Sequence, residues 1–396
     1  KIKDYINIQE QQIISFEEIE AESLLIKNIL DETNYEKKIN QSLKRKMPAC
    51  IIYTSGTSGT PKGVILSHGG ILSNCEGAVE LLKPLTKIKD PIFLTWLPLS
   101  HSYEHTVQFI QIIVGAKVFY AESIEKLISN MGIAKPTIMT AVPRFYQNLF
   151  IKINVNFEKQ TGLKKKLIYK TLELGKKLLK KKKISAIEKI INFACNILVR
   201  KKIQNQFGGN LQAFVSGGGA LDQKIGEFLN AIGLPTLQGY GLTEASPVVS
   251  CNLPDLVKVE TVGPVFRTNI VKIAEDGEIL VKGENVMLGY WNNKEETDKV
   301  IKKEWLHTGD IGEFDNNNYL KITDRKKDII VNLGGDNIAP SKIENILCLN
   351  ELIKQSLVYG DKKNYLVALL VVEKDMNREK IKIIIENINK KLSLIE

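Results

Sequence analysis

Residues 211–247 read LQAFVSGGGALDQKIGEFLNAIGLPTLQGYGLTEASP. Two apolar, strand-like runs, LQAFVS and LPTLQ, each end in glycines and polar residues, with a helix-like segment between them. The same alternation lies upstream, where ACIIYT, PIFLTWLPLS, AKVFYAE and PTIMTAVP end in small or polar residues and give way to helix-like stretches. This pattern predicts an α/β protein with parallel sheets, whose ligands gather outside the carboxyl ends of the strands. The polar clusters at those ends are the candidate sites.

Downstream of residue 262 the texture changes. GPVF, AEDGEILVKG and NNNYLKITDR are short alternating runs with Gly and Asn turns, which read as an antiparallel or barrel-like β subdomain. TDRKKDII at 323–330 is a charged connection into a last βα unit. The expected architecture is a large N-terminal domain of parallel α/β sheets with a small barrel-like β subdomain, followed by a small C-terminal α/β domain.

The composition is that of a globular, multidomain protein: 396 residues, 43% hydrophobic and 25% charged. No apolar run approaches the roughly 20 residues of a membrane-spanning helix, and the opening KIKDYINIQEQQ has no hydrophobic signal core. The five cysteines, at 50, 75, 195, 251 and 348, form no C-x-x-C pair. Reduced thiols in a cytoplasmic protein are the expectation.

The net charge of +10 is local. Residues 164–202 carry fourteen Lys or Arg against Glu173 and Glu188, so this segment is +12 and the rest of the chain is −2. Leu167, Leu174, Leu178, Ile187, Ile191 and Leu198 are interleaved at near-helical spacing. Two readings stay open: a basic amphipathic helix in peripheral contact with an anionic membrane at its inner face, or a solvated helical face. Tyr169 and Phe193 are the segment's only aromatics, which makes it a poor stacking platform and argues against nucleic acid as partner.

The stretch YTSGTSGTPKGV at 53–64 is built of small hydroxyl residues, glycines and one lysine. Such a loop can turn N–H groups, hydroxyls and an ammonium toward a polyanion. It does not match G-x-x-x-x-G-K-[ST], since Pro61 precedes Lys62 and Gly63 follows it. A flexible linker is the plain alternative, and the strand-like runs on either side argue against it. VSGGGAL at 215–221 offers backbone that can lie against a flat ring. In LQGYGLTEASP at 237–247, Tyr240 offers a ring face, Thr243 a hydroxyl and Glu244 a hard carboxylate. WLHTGDIGE puts Asp310 in a tight Gly turn, where a carboxylate can accept two hydrogen bonds from a ribose diol, and a basic triplet follows at 325–327. Together these are the parts needed to hold ATP with Mg²⁺.

In this order, YTSGTSGTPKGV, GYGLTE, HTGD and DRKKDIIVNLGGDNIAP resemble the adenylate-forming superfamily of acyl-CoA synthetases, peptide-synthetase adenylation domains and luciferases, over roughly residues 48–372. WLPLSHSYEHTVQF, PTIMTAVPRFYQ, ENVMLGYWN and ITDRKKDIIV look like bacterial long-chain fatty acid CoA ligases. The resemblance implies that a fatty carboxylate attacks the α-phosphate of ATP to give acyl-AMP and pyrophosphate, after which the CoA thiol displaces AMP. It implies that the loop Thr54, Ser55, Gly56, Thr57, Ser58, Gly59, Thr60 and Lys62 wraps the β- and γ-phosphates, with Thr54 and Glu244 on Mg²⁺. By the same resemblance Gly218, Gly219, Gln238, Gly239, Tyr240 and Gly241 frame the nucleotide, Thr243 contacts the α-phosphate, and Asp310 and Arg325 hold the ribose. His101 stands near the acyl carboxylate, Lys327 at the hinge of the C-terminal domain, and Gly334 and Gly335 in a loop that approaches the pantetheine arm of CoA.

The resemblance divides the chain into an AMP-binding domain, 1–324, and a C-terminal domain, 325–396. Members of the superfamily carry much more sequence ahead of the phosphate loop. They also carry a late lysine whose context NINKKLSL, with Lys390 and Lys391, does not reproduce. The expectation is a chain lacking the front of its first domain and the end of its second, with weak or absent adenylation. Three other readings accompany it. Medium-chain or aryl acid CoA ligases share every ATP motif. A non-catalytic ATP- or acyl-adenylate-binding protein would keep the pocket without the chemistry. Finally, HSYEH at 101–105 fits the H-x-x-E-H pattern of inverted zinc proteases. His307 is expected to cap a turn and His68 to be structural.

Overall fold

A computed structural model describes residues 43–54, 60–81, 83–86, 90–334, 336–350, 352–373, 377–390 and 392–393. Contacts divide the chain into Lys1–Met47 and Pro48–Glu396, and every element below belongs to the second unit.

The first element is a hairpin. Strand β1 (Pro48–Thr54) pairs antiparallel with β2 (Lys62–Ser67), so that Ile52 stands opposite Val64 and Thr54 opposite Lys62. The alternating pattern of the sequence had counted ACIIYT among parallel strands. Only residues 55–61 join β1 to β2, too few for the crossover of a dozen or more residues that a parallel pair needs.

The main sheet follows: β3 (Ile92–Thr95), β4 (Lys117–Tyr120), β5 (Ile138–Ala141), β6 (Ala213–Ser216), β7 (Thr236–Gly241) and β8 (Val248–Cys251), in the order β4-β3-β5-β6-β7-β8. All neighbours run parallel except β7 and β8. Both faces are covered, as a parallel sheet requires, and successive side chains go to opposite layers. Phe93, Ile138 and Ala213 pack with Ile71 and Cys75 of the helix His68–Leu81 and with Val107 and Ile110 of the helix Ser102–Ile113. Leu94, Met139 and Phe214 pack on the other side with Tyr146 and Leu149 of Pro143–Glu158 and with Ile225, Phe228 and Leu229 of Gln223–Ala231.

The lysine-rich insertion forms the helices Gly162–Leu179 and Ala186–Cys195, a π-helical turn Asn196–Arg200, and the helix Lys201–Gln206. Its two parts differ. In the first, Ile168, Thr171, Leu174 and Gly175 are buried, and the helix packs on Gln223–Ala231. The apolar stripe expected on one exposed surface is thus partly core.

Strands β9 (Asn269–Ile273), β10 (Glu278–Gly283), β11 (Gly289–Tyr290), β12 (Ile301–Lys302), β13 (Trp305–Phe314) and β14 (Leu320–Arg325) make up the β subdomain. Five of them form an antiparallel sheet, β12-β13-β10-β9 with β14 on β13, while β11 joins β2. The C-terminal part has two hairpins, β15 (Ile330–Val331) with β16 (Asn337–Ile338) and β17 (Ile353–Tyr359) with β18 (Val367–Val372). Ile338, Ile343, Leu347, Ile353, Val358 and Ile388 form its core with the helices Pro340–Cys348 and Arg378–Asn389.

Candidate active site

The carboxyl ends of β6 and β7 open into a cavity of about 1310 Å³. Beyond β7 the chain makes a 3₁₀ turn, Thr243–Ala245, which brings Thr243 Oγ1 to 3.0 Å from Ser102 Oγ at the start of the helix Ser102–Ile113. The Glu244 carbonyl accepts from Met287 N–H at 2.9 Å, and its Oε1 accepts from the Tyr290 hydroxyl, also at 2.9 Å. Burial, and then the neighbouring Glu244, push the Tyr290 hydroxyl well above its ordinary range. Since β11 carries Tyr290 and pairs with β2, Glu244 is tied to the hydroxyl-rich hairpin.

Lys62 begins β2 and lines the same cavity as Thr54 and Glu244. Its ammonium pairs with Glu296 of the helix Lys294–Val300 and lies 5.1 Å from the centre of the Tyr290 ring. Lys299 donates to Glu296 Oε1 at 2.7 Å. Lys299 and Lys62 together hold the Glu296 carboxyl down at about 2.

Asp310 is 6% exposed. Tyr240 donates to its Oδ2 at 2.7 Å and Arg325 Nε to its Oδ1 at 3.1 Å. Burial raises the Asp310 carboxyl above the usual aspartate value, against the pull of Tyr240 and Arg325. Asp310 was expected in a tight turn, whereas it lies within β13, opposite Arg325 in β14. The bend that the sequence signals is Gly309, at φ 73°, a left-handed conformation that deflects the strand without ending it. His307 caps no turn either: it too lies in β13, with Nδ1 3.1 Å from Glu278 Oε2. Glu278 Oε1 accepts from Gly309 N–H at 2.9 Å, and Lys326 reaches Oε2 at 3.3 Å. Burial works to raise the Glu278 carboxyl, but these donors hold it below its ordinary value.

The cavity brings together Thr54, Lys62, His101, Gly218, Gly219, Gln238, Gly239, Tyr240, Gly241, Thr243, Glu244, Asp310, Arg325 and Lys327. Thr60 and Gly334 are not among its lining residues. Ser55, Gly56, Thr57, Ser58, Gly59 and Gly335 lie outside the described residues. Ser102, Glu278, Tyr290 and Glu296 line the cavity and were not singled out from sequence. Asn293, whose side chain caps the Glu296 N–H at 3.1 Å, was the available signal for Glu296: an Asn three residues ahead of a Glu marks a helix start.

HSYEH forms no zinc site. His101 precedes the helix, and Glu104 is fully buried, its Oε2 accepting from Thr140 at 2.9 Å. Among the described residues no three His, Cys, Asp or Glu gather to hold a metal ion. Magnesium asks less of a protein, usually one or two carboxylates completed by phosphate oxygens and water. Glu244 with Thr54 fits that demand.

Parallel strands ending at a shared cleft, an antiparallel subdomain contributing a buried carboxylate, and a following α/β module define a multidomain α/β architecture with one large cleft. The AMP-binding enzyme model matches residues 3–291, and the AMP-binding enzyme C-terminal domain model matches 327–395. The chain belongs to this family of AMP-binding, adenylate-forming enzymes. It is 33% identical over 344 residues to long-chain-fatty-acid–CoA ligase FadD15 of Mycobacterium bovis, covering 84% of this chain and 55% of that one. Against long chain acyl-CoA synthetase 6, peroxisomal, of Arabidopsis thaliana it is 34% identical, covering 83% and 48%. The chain thus spans about half the length of the curated relatives it matches. Among solved structures, o-succinylbenzoate CoA synthetase of Bacillus subtilis with its acyl-adenylate intermediate superposes with a TM-score of 0.66 at 22% identity, over 89% of this chain and 64% of that one. ATP-bound MatB of Rhodopseudomonas palustris gives 0.64 at 22%, over 89% and 63%. These two establish the fold.

Proposed function

We propose that the chain carries the activating site of a long-chain fatty acid CoA ligase, an acid–thiol ligase. A fatty carboxylate oxygen bonds to the α-phosphorus of ATP as the bond to pyrophosphate breaks, and the CoA sulfur then takes the acyl group and releases AMP. In this reading Lys62, Thr54 and the loop 55–60 hold the β- and γ-phosphates. Thr243 bonds the α-phosphate, Asp310 with Arg325 grips the ribose, and Gly218, Gly219 and Gln238–Gly241 frame the adenine. His101 stands at the acyl carboxylate. Glu244 and Thr54 hold Mg²⁺, which when bound offsets phosphate charge. Fixed cations and oriented donors stabilise the charge that builds on the α-phosphoryl group. We place the domain boundary at 324/325, with Lys327 as the hinge and Gly334 and Gly335 toward CoA.

One observation carries the reading: the cavity lined by Thr54, Lys62, Thr243, Glu244, Asp310 and Arg325 is also lined by the apolar side chains of Leu81, Phe93, Val107, Ile110 and Ile138. A polyanion and an alkyl chain can therefore meet in one space, and the names of the relatives point the same way. Cytoplasmic placement, with peripheral contact between 164–202 and an anionic membrane, suits a substrate that partitions into lipid. Among the described residues no helix is long and apolar enough to cross a membrane.

The test is acid-dependent exchange of pyrophosphate into ATP, followed by AMP release with CoA, over a panel of long-chain, medium-chain and aryl acids. Any exchange is expected to be weak and led by long-chain acids. A lead by aryl acids would reassign the substrate, and ATP binding without exchange for any acid would leave a nucleotide-binding protein only.

A further inference from the structure

We propose that the outward face of residues 186–198 is the surface that lies on an anionic bilayer, an inference that narrows the membrane contact just proposed and rests on it. The helix Ala186–Cys195 and the π turn after it are held to the protein by one side. Cys195, Val199 and Arg200 are buried. Arg200 donates from Nε to the Ala231 carbonyl at 2.9 Å, from Nη1 to Asn192 Oδ1 at 2.9 Å and from Nη2 to the Thr171 carbonyl at 3.2 Å. These bonds fix which way the helix faces.

On the other side, Ile187, Ile190 and Phe193 are 70%, 72% and 67% exposed, and Ile197 and Leu198 extend the stripe. At 100° per residue Ile187, Ile190 and Phe193 of the α-helix fall within one arc of about 120°. An apolar stripe this regular on a pinned helix is not core, because its inward positions already fill that role.

The charge around it chooses the partner. Lys182 and Lys183 precede the helix, Lys189 lies on it, and Lys201 and Lys202 follow it, all exposed. No carboxylate pairs with any of the five among the described residues, whereas Lys165, Lys170, Lys176, Lys177 and Lys180 are paired with Glu158, Glu173, Glu188 or Glu227. These five unpaired lysines flank the stripe, while on the preceding helix and its end five lysines are neutralised and Lys164, Lys166 and Lys181 have no carboxylate partner among the described residues. A second copy docking face to face would set these lysines against their equivalents. An anionic lipid surface takes both the apolar side chains and the charge.

The test is flotation of the full chain with phosphatidylglycerol-containing and pure phosphatidylcholine vesicles, at low and high salt. The expected result is at least about tenfold stronger binding to the anionic vesicles, weakened by salt, and lost in the double variant Ile190→Asp, Phe193→Asp. Phe193→Trp reads the face directly: its emission should shift to the blue on anionic vesicles. Binding by the native chain with no emission shift, and undiminished in the double variant, overturns this face while leaving membrane contact in place. Equal binding to both vesicles, or none, overturns both. A fall in oligomeric size of the double variant without lipid would assign the stripe to self-association and overturn the lipid surface.

Discussion

Arg325 faces Asp310 across the β13–β14 ladder and donates from Nε to one carboxylate oxygen, while Tyr240 takes the other. The carboxylate is thereby fixed in place before any ligand arrives, with lone pairs left over for a diol. Tyr240, 70 residues upstream, and Arg325, 15 residues downstream on the paired strand, meet at this one group.

Asp310→Asn keeps the shape and removes the charge. Hydrogen bonds to charged groups contribute about 1.5–3 kcal/mol, so AMP and ATP affinity measured by calorimetry should fall by roughly 10- to 100-fold. An unchanged affinity would remove Asp310 from the nucleotide site.

Glu296 and Asp310 give opposite pH signatures. The Glu296 carboxyl lies at about 2, below its ordinary 4.5. Its contribution to stability is therefore present above 4.5 and lost as pH falls toward 2. Asp310 is raised by burial, so its contribution is present below the ordinary aspartate value and lost as pH rises through its folded value. The gap in melting temperature between the native chain and Glu296→Gln should accordingly narrow as pH drops below 4.5. The gap between the native chain and Asp310→Asn should move the other way.

Lys62 cannot serve a triphosphate and Glu296 fully at once. If phosphate displaces Glu296 from the ammonium, Glu296→Gln should tighten ATP binding a few-fold, and Lys62→Met should weaken it by about tenfold or more. A Glu296→Gln variant that binds ATP more weakly would show that Glu296 supports the ligand and does not compete with it.

Part of the cavity lining was legible because it falls at strand ends, where Gly, Thr and charged residues interrupt apolar runs. Gly218, Tyr240, Thr243 and Glu244 fall at such interruptions, and the cavity gathers them. Asp310 was read into a tight turn but lies within β13, since a left-handed glycine inside a strand writes the same letters as one in a turn. Tyr290 and Glu278 escaped notice because they sit within strands and reach the cavity only through pairing of β11 with β2 and of β10 with β13. Such pairings join residues across long stretches of sequence that no local window spans. The lysine-rich insertion was legible as helix, but spacing alone could not say that Leu174 faces inward and Ile190 outward.

The inward half of that insertion supplies a stability test with an internal control. Gly175 lies in the helix Gly162–Leu179, where an added Cβ would sit 2.5 Å from the Ala231 carbonyl oxygen and 2.6 Å from its Cα. Those are backbone atoms of the neighbouring helix and cannot swing aside. Gly132, in the helix Leu127–Ala134, has nothing within 4 Å of the same position. Alanine gains about 1 kcal/mol over glycine in a helix interior, so Gly132→Ala should stabilise the protein by about 0.5–1 kcal/mol. Gly175→Ala has the same gain but must force two helices apart, at a typical cost of about 1–3 kcal/mol. Denaturant melts should therefore show the two variants moving in opposite directions. If both stabilise, the insertion is not packed against Gln223–Ala231, and the argument that Arg200 fixes its outward face falls with it.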